Sequence, residues 1–119
     1  MATFTKAVLT GSTDGRAIKV AATSSPGTTV TTGSSTAADL HEVWLYAQNT
    51  SAADVKLTVE WGGTTSPDDL IEQTITAEAG LTLVAPGLLI KGNATPLVVK
   101  AFAATTNVIT LHGYVNQIA

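Results

Sequence analysis

Hydrophobic and polar residues alternate along most of the chain with a period of two. The clearest case is residues 54–61, DVKLTVEW, in which the odd positions are apolar and the even positions are polar. Successive side chains of a β-strand point to opposite sides of a sheet. The pattern therefore predicts a strand with one buried side, and places Thr58 and Glu60 on the side that faces water.

Shorter stretches of the same kind predict further strands along the whole chain. Between them lie turn residues, such as the glycines and prolines of SSPG, APG and GNATP. Short strands at a spacing of roughly 8–12 residues are typical of sandwiches. The sequence predicts one all-β domain over 1–119, an antiparallel β-sandwich or jelly roll of about eight strands. Besides 54–61, the predicted strands are 4–10, 16–22, 42–49, 69–76, 81–85, 88–91, 97–104 and 107–115.

The segment 23–41, TSSPGTTVTTGSSTAADLH, has the weakest pattern. Its residues are small and polar, with few large apolar side chains. We expect a flexible loop or an irregular edge here, with one helical turn at 37–40. A segment that becomes ordered against a neighbouring subunit is the alternative.

Two of the predicted strands are apolar on both faces. In 42–48, Val43 and Leu45 point to one side while Trp44 and Tyr46 point to the other, and in 97–104 Phe102 lies opposite the main apolar face. A two-layer sandwich has only one interior, so the second face needs cover from a loop or from another chain. The scarcity of charged residues, 13% of the chain, favours another copy of the protein.

The stretch 61–70, WGGTTSPDDL, combines glycines, hydroxyls and two carboxylates. It lacks the Gly-Lys-Ser/Thr ending of a phosphate-binding loop. Asp68 and Asp69 are adjacent, so they diverge on either a strand or a helix and do not form a glycosidase acid pair. Ser66 followed by a proline and two acids is typical of a helix start. We therefore predict a connector with one helical turn.

Composition excludes several classes of function. The 119 residues include no cysteine, so neither a disulfide framework nor a thiolate zinc site is expected. The net charge is −3 and the six basic residues are scattered, which argues against binding to nucleic acid. No apolar run approaches the length of a membrane span, and the N-terminus lacks the pattern of a signal peptide. We expect no association with a membrane, and we expect synthesis in the cytoplasm without translocation.

The two histidines do not indicate a catalytic or metal site. His41 and His112 are far apart in sequence and match no metal-binding spacing. No residue pattern identifies a nucleophile with its base. We expect histidines at the surface or in an interface, no cofactor, and no enzymatic activity.

Three segments that cover most of the chain resemble small virion proteins of tailed bacteriophages, particularly capsid decoration (cement) proteins. They are MATFTKAVLTGSTDGRAIKVAAT at 1–23, EVWLYAQNTSAADVKLTVEWGGTTSPDDLIEQTI at 42–75 and LVVKAFAATTNVITLHGYVNQI at 97–118. The likeness lies in a short, cysteine-free β domain rich in Ala, Thr and Val. It implies a protein that sits on the shell as a trimer and clamps neighbouring capsomers. No functional residue is carried over position by position.

The sequence therefore predicts a non-enzymatic virion protein that decorates the outer surface of a phage head. We expect a homo-oligomer, with a trimer favoured, that contacts the major capsid protein or another virion protein. The alternative is a receptor- or carbohydrate-binding module of a phage fibre or spike, in which Trp61 borders the binding loop. A hydrolase dependent on His112 is a third hypothesis. Candidate subunit or shell contacts are Trp44, Tyr46, Trp61, Asp68, Asp69, Phe102, His112 and Tyr114.

Overall fold

The computed structural model describes residues 2–119, which form nine strands and contain no helix. Three strands have ten residues each, five have five to seven, and one has two. The strands are β1 (Phe4–Val8), β2 (Ile18–Lys19), β3 (Thr28–Thr32), β4 (Leu40–Asn49), β5 (Val55–Trp61), β6 (Leu70–Ile75), β7 (Thr82–Lys91), β8 (Val98–Ala103) and β9 (Ile109–Ile118).

The strands form two antiparallel sheets that pack face to face. Sheet A has the order β1-β9-β4-β7, with the short β2 also paired to β9, and sheet B has the order β3-β8-β5-β6. Strand β1 pairs with β9, β3 with β8, β4 with β7 and β5 with β6. Each of these pairs lies, in sequence, inside the pair before it. This is the connectivity of a jelly roll, and it confirms the predicted all-β sandwich.

Apolar burial between the sheets holds the fold together. Leu45, Leu57 and Leu111 are fully buried, and each such side chain contributes about 1.5–3 kcal/mol relative to exposure. By contrast, the salt bridge between Lys56 and Glu72 is exposed, so it adds at most about 1 kcal/mol. The odd-numbered residues of 54–61 point inward, as their alternation predicts.

Within 23–41, residues Thr28–Thr32 form β3, an edge strand of sheet B whose pairing with β8 shifts register between Thr29 and Thr31, in agreement with the expected irregular edge. The segment ends slightly earlier than expected, because β4 begins at Leu40. The β-branched run TTVTT suits a pleated strand, and its Val30 is completely buried. No helical turn forms at 37–40; a hydrogen bond from Asp39 N–H to the carbonyl of Thr36 closes a turn instead.

The strands predicted at 81–85 and 88–91 are one strand, β7, which continues through Pro86. A proline is tolerated because β7 is the edge strand of sheet A and needs hydrogen bonds on one side only. The pairing of β7 with β4 shifts register between Val43 and Trp44 and again between Leu45 and Tyr46, and these shifts accommodate the irregular backbone of β7. The strand predicted at 16–22 is shorter than expected, since β2 contains only two residues.

The prediction of a water-facing side on β5 is wrong for Thr58 and Glu60, which are 3% and 1% exposed. The loop between β2 and β3 covers this part of sheet B. Its Ser25 hydroxyl donates to Glu60 Oε2, and the N–H of Gly27 donates to Oε1 at 2.7 Å. The buried carboxylate is therefore satisfied by a segment that lies more than 30 positions earlier in the chain.

Candidate functional site

Aromatic side chains cluster on the outer face of sheet A, the side turned away from sheet B. On adjacent strands β4 and β9, Trp44 lies opposite Tyr114 and Tyr46 lies opposite His112. The rings of Trp44 and Tyr114 are stacked, with centroids 6.1 Å apart and planes inclined by 14°. Lys6 Nζ lies 5.0 Å from the centre of the Tyr114 ring. Four of the predicted contact residues thus share one surface.

The alternation of β4 explains why this surface is aromatic. Val43 and Leu45 turn into the core and are buried, so the residues between and after them turn outward. Trp44 and Tyr46 are half-buried in this position. Trp44 also lies across Gly87 of β7, where an added Cβ would come within 2.9 Å of its indole ring. The indole is therefore held by neighbours on both adjacent strands.

Glu42 is a member of this surface that the sequence-based prediction missed. Its Oε1 accepts hydrogen bonds from Trp44 Nε1 at 2.7 Å and from Asn116 Nδ2 at 2.9 Å. The Trp44 bond, followed by the Asn116 bond, lowers the pKa of Glu42 below its ordinary value of 4.5, against a smaller opposing effect of burial. The sequence places Glu42 two residues before Trp44, so alternation alone would have put both residues on the same face of the strand.

Exposed apolar side chains flank the aromatic cluster on both sides. All the large hydrophobic residues that are exposed within residues 2–119 lie on β1, on β7 or next to β7. Phe4 is 70% exposed and Leu89 is 52% exposed, at opposite edges of sheet A. The full set is Phe4, Val8, Leu81, Leu83, Leu88 and Leu89. An apolar band of this kind is a candidate interaction surface.

Phe102 and Trp61 lie away from this cluster. Phe102 is half-buried on β8, opposite Thr58 of β5, and therefore belongs to the outer face of sheet B. Trp61 ends β5 and packs against the core between the sheets. Neither residue shares a surface with Trp44, although Phe102 does lie on the second apolar face that its alternation predicts.

Asp68 and Asp69 belong to the connector between β5 and β6. Asp68 is exposed, whereas Asp69 is half-buried and accepts a hydrogen bond from Thr65 N–H at 3.0 Å. The carbonyl of Asp69 also accepts from Trp61 N–H at 2.7 Å. The connector forms a single hydrogen-bonded turn and no helix, since Asp69 N–H donates to the carbonyl of Thr65 at 2.9 Å and Leu70 N–H donates to the carbonyl of Pro67 at 3.2 Å.

The two histidines occupy different environments. His112 lies on the outer face of sheet A, within the aromatic cluster. His41 is only 7% exposed, so its prediction as a surface or interface residue is wrong. It is the second residue of β4 and turns inward at one end of the sandwich, on the same side of the strand as Val43.

Residues 2–119 contain no group of three or more histidine or acidic side chains placed to hold a metal ion. Within the same part of the chain, no helix is present that could cross a membrane. Comparisons of the chain with protein-family models, curated proteins and solved structures found no match.

Proposed function

We propose that the chain is a non-enzymatic structural protein of a virion, which assembles through the outer face of sheet A and decorates the outer surface of a phage head. The observation that carries this proposal is the aromatic and leucine-rich face itself. The solvent side of an antiparallel sheet is usually polar. Here Trp44, Tyr46 and Tyr114 stand where polar residues are expected, so the face suits a permanent partner.

The occupant of the face that we favour is another copy of the chain. Three of the four neighbouring strands have ten residues and are about 33 Å long, β1 has five, and strands lie about 4.8 Å apart, so the face covers roughly 550 Å² in projection. Two such faces together bury about 1,100 Å², above the roughly 1,000 Å² expected of a biological interface. The face is therefore large enough for self-association.

The charges on the face also permit contact between identical copies. The Glu42 carboxylate already accepts two hydrogen bonds, and Lys6 lies over the Tyr114 ring. Both charges are thus engaged within one copy, which reduces the repulsion that identical surfaces would otherwise suffer. The resemblance to decoration proteins favours a trimer, located on the virion, with the major capsid protein or another virion protein as the further partner.

Purified phage particles test the proposal directly. Particles of the phage whose genome encodes the chain are examined by immunogold electron microscopy and by quantitative mass spectrometry. We expect gold on the heads and many copies per particle, in a fixed ratio to the major capsid protein. Label confined to the tail or fibres, or absence of the protein from particles, would contradict the proposal.

A further inference from the structure

A cleft opens at the end of the sandwich where residues near the two ends of the described chain meet. Thr3 N–H donates to the carbonyl of Ala119 at 2.7 Å, and Ala119 N–H donates to the carbonyl of Thr3 at 2.9 Å. The cleft beside this pair has a volume of about 430 Å³. This volume lies within the range of small-molecule binding sites.

Three adjacent strands of sheet A form one side of the cleft. Thr5 of β1 lies opposite Gln117 of β9, and Gln117 in turn lies opposite His41 of β4. Directly opposed residues share a sheet face, so these three side chains form a row across the sheet. All three line the cleft. The row offers a hydroxyl, an amide and an imidazole to whatever the cleft contains.

The other side of the cleft consists of hydroxyl groups held by hydrogen bonds. Thr32 N–H donates to Thr10 Oγ1 at 2.7 Å, which ties the end of β3 to the segment after β1. The Ser34 hydroxyl donates to Asp39 Oδ2 at 2.8 Å and accepts from the N–H of Thr36 at 3.0 Å. The loop between β3 and β4 therefore presents an ordered polar wall.

His41, which lines this cleft, has a buried ring nitrogen without a hydrogen-bond partner. The residue is only 7% exposed. Within residues 2–119, its Nδ1 is the one buried side-chain nitrogen or oxygen atom without a hydrogen-bond partner. Burial of an unpaired polar atom is unfavourable. A bound ligand, or a water molecule that accompanies it, would supply the missing partner after a small movement of the ring.

The chemistry of the lining selects a neutral ligand with many hydroxyl groups. Among residues 2–119, no lysine or arginine lines the cleft, so an anion such as phosphate finds no cationic side chain there. The one acidic side chain in the lining, Asp39, already accepts a hydrogen bond from Ser34, and residues 2–119 contain no group of three or more side chains placed to hold a metal ion. Hydroxyl, amide and imidazole groups both donate and accept hydrogen bonds, as sugar hydroxyls do.

We infer that this cleft binds a pyranose sugar, either free or as the end residue of a surface polysaccharide. The site differs from the Trp61 loop of the carbohydrate-binding alternative and from the outer face of sheet A. It can therefore operate while that face is covered by other copies, and it does not depend on the proposed function.

Titration with simple sugars, followed by NMR, tests the inference. Tag-free ¹⁵N-labelled protein is titrated with methyl glycosides of glucose, galactose, mannose, rhamnose and N-acetylglucosamine, and separately with phosphate and with Ca²⁺. We expect at least one glycoside to cause saturable shifts of the amides of Thr32, Asp39 and Gln117. The imidazole nitrogens of His41 should shift as well, while those of His112 serve as an internal control and stay unchanged.

Matched variants separate a specific site from a general effect. Thr32→Val removes one lining hydroxyl and keeps a β-branched strand residue, so binding should weaken about fivefold to tenfold, the equivalent of one hydrogen bond. Thr74→Val, on the exposed edge strand β6, should leave binding unchanged. Titration with a purified bacterial surface polysaccharide that ends in the bound sugar then distinguishes a free sugar from a surface glycan as the source.

Several results would overturn the inference. Among them are the absence of shifts with every glycoside, shifts caused only by phosphate or Ca²⁺, and shifts centred on Trp44 and Tyr114 in place of the cleft. Equal weakening in Thr32→Val and Thr74→Val would also overturn it. None of these results bears on whether the protein is found on phage heads.

Discussion

At the scale of single residues, the hydrogen bonds of Glu42 order the aromatic cluster. Its carboxylate holds the Trp44 indole N–H and the Asn116 amide, and both bonds lower its pKa. Because the pKa is lower in the folded state, the stabilising contribution of ionised Glu42 is fully present above the ordinary value of 4.5. It is lost as the pH falls through the lowered value.

We therefore predict that acid loosens the Trp44 side chain before it unfolds the protein. In NMR spectra, the Trp44 Nε1–H resonance should move as the pH is lowered from 6 to 2, with a midpoint below that of an ordinary glutamate. The variant Glu42→Gln should abolish this titration. An indole resonance that titrates equally in Glu42→Gln, or that does not move in the native protein, would rule out the proposed bond.

Glu60 makes a second residue-scale prediction, on stability. The variant Glu60→Ala removes a buried carboxylate and leaves the Ser25 hydroxyl and the Gly27 N–H without their acceptor. We expect a loss of about 3 kcal/mol in the free energy of unfolding, measured by urea denaturation. Glu60→Gln keeps an oxygen for Gly27 and should lose about 1 kcal/mol. Equal losses in the two variants would contradict this assignment.

At the scale of elements, close contact between β4 and β9 requires a glycine. A Cβ added at Gly113 would lie 1.9 Å from the carbonyl oxygen of Trp44, and the φ of Gly113 is 154°. We predict that Gly113→Ala separates the two strands and costs more than about 3 kcal/mol, or prevents folding. Thermal and urea unfolding of the purified variant measure the loss.

Gly80→Ala is the matched control for this prediction. Gly80 has a φ of 76°, but an added Cβ would meet nothing within 4 Å. Its cost should be limited to backbone strain, about 1–2 kcal/mol. If Gly113→Ala cost no more than Gly80→Ala, the close approach of β4 and β9 would be wrong.

The alternation of apolar residues was enough to predict most strands, but not which strands are neighbours. The pattern of β4 places Trp44 and Tyr46 on one face, and the pattern of β9 does the same for Tyr114. Pairing of β4 with β9, more than 60 residues apart in sequence, is what joins these faces. Such long-range pairing depends on the whole fold, so local periodicity does not reveal it.

The elements that sequence reasoning missed depend on contacts elsewhere in the fold. The segment 23–41 predicts a loop or an irregular edge without the bounds of β3, since only Val30 and Thr31 of the five residues of β3 are buried and the strand is mostly polar. β7 contains a proline and a glycine that read as a turn, although an edge strand with register shifts accommodates both. Alternation predicts that Glu60 faces solvent. The loop that covers Glu60 comes from a distant segment of the chain, so local sequence does not reveal its burial.

At the scale of the whole molecule, the apolar surface is distributed unevenly. The exposed large hydrophobic residues of the described chain all belong to sheet A or its border, while β6 of sheet B exposes Glu72 and Thr74. Composition alone predicts a partner because charged residues are few, but it does not indicate where the partner binds. The jelly-roll connectivity places the apolar residues of β1 and β7 at the two edges of one sheet.

The central claim, that this face joins copies of the chain, is tested by size-exclusion chromatography with light scattering. The native chain should have at least twice its 12.1 kDa mass at micromolar concentration, and three times that mass for the trimer that the resemblance favours. Leu83→Glu combined with Leu89→Glu should give monomers with an unchanged circular dichroism spectrum, whereas Thr74→Glu on β6 should stay oligomeric. A native protein that is monomeric at every concentration, or a double variant that keeps the native mass, would show that this face does not join copies of the chain.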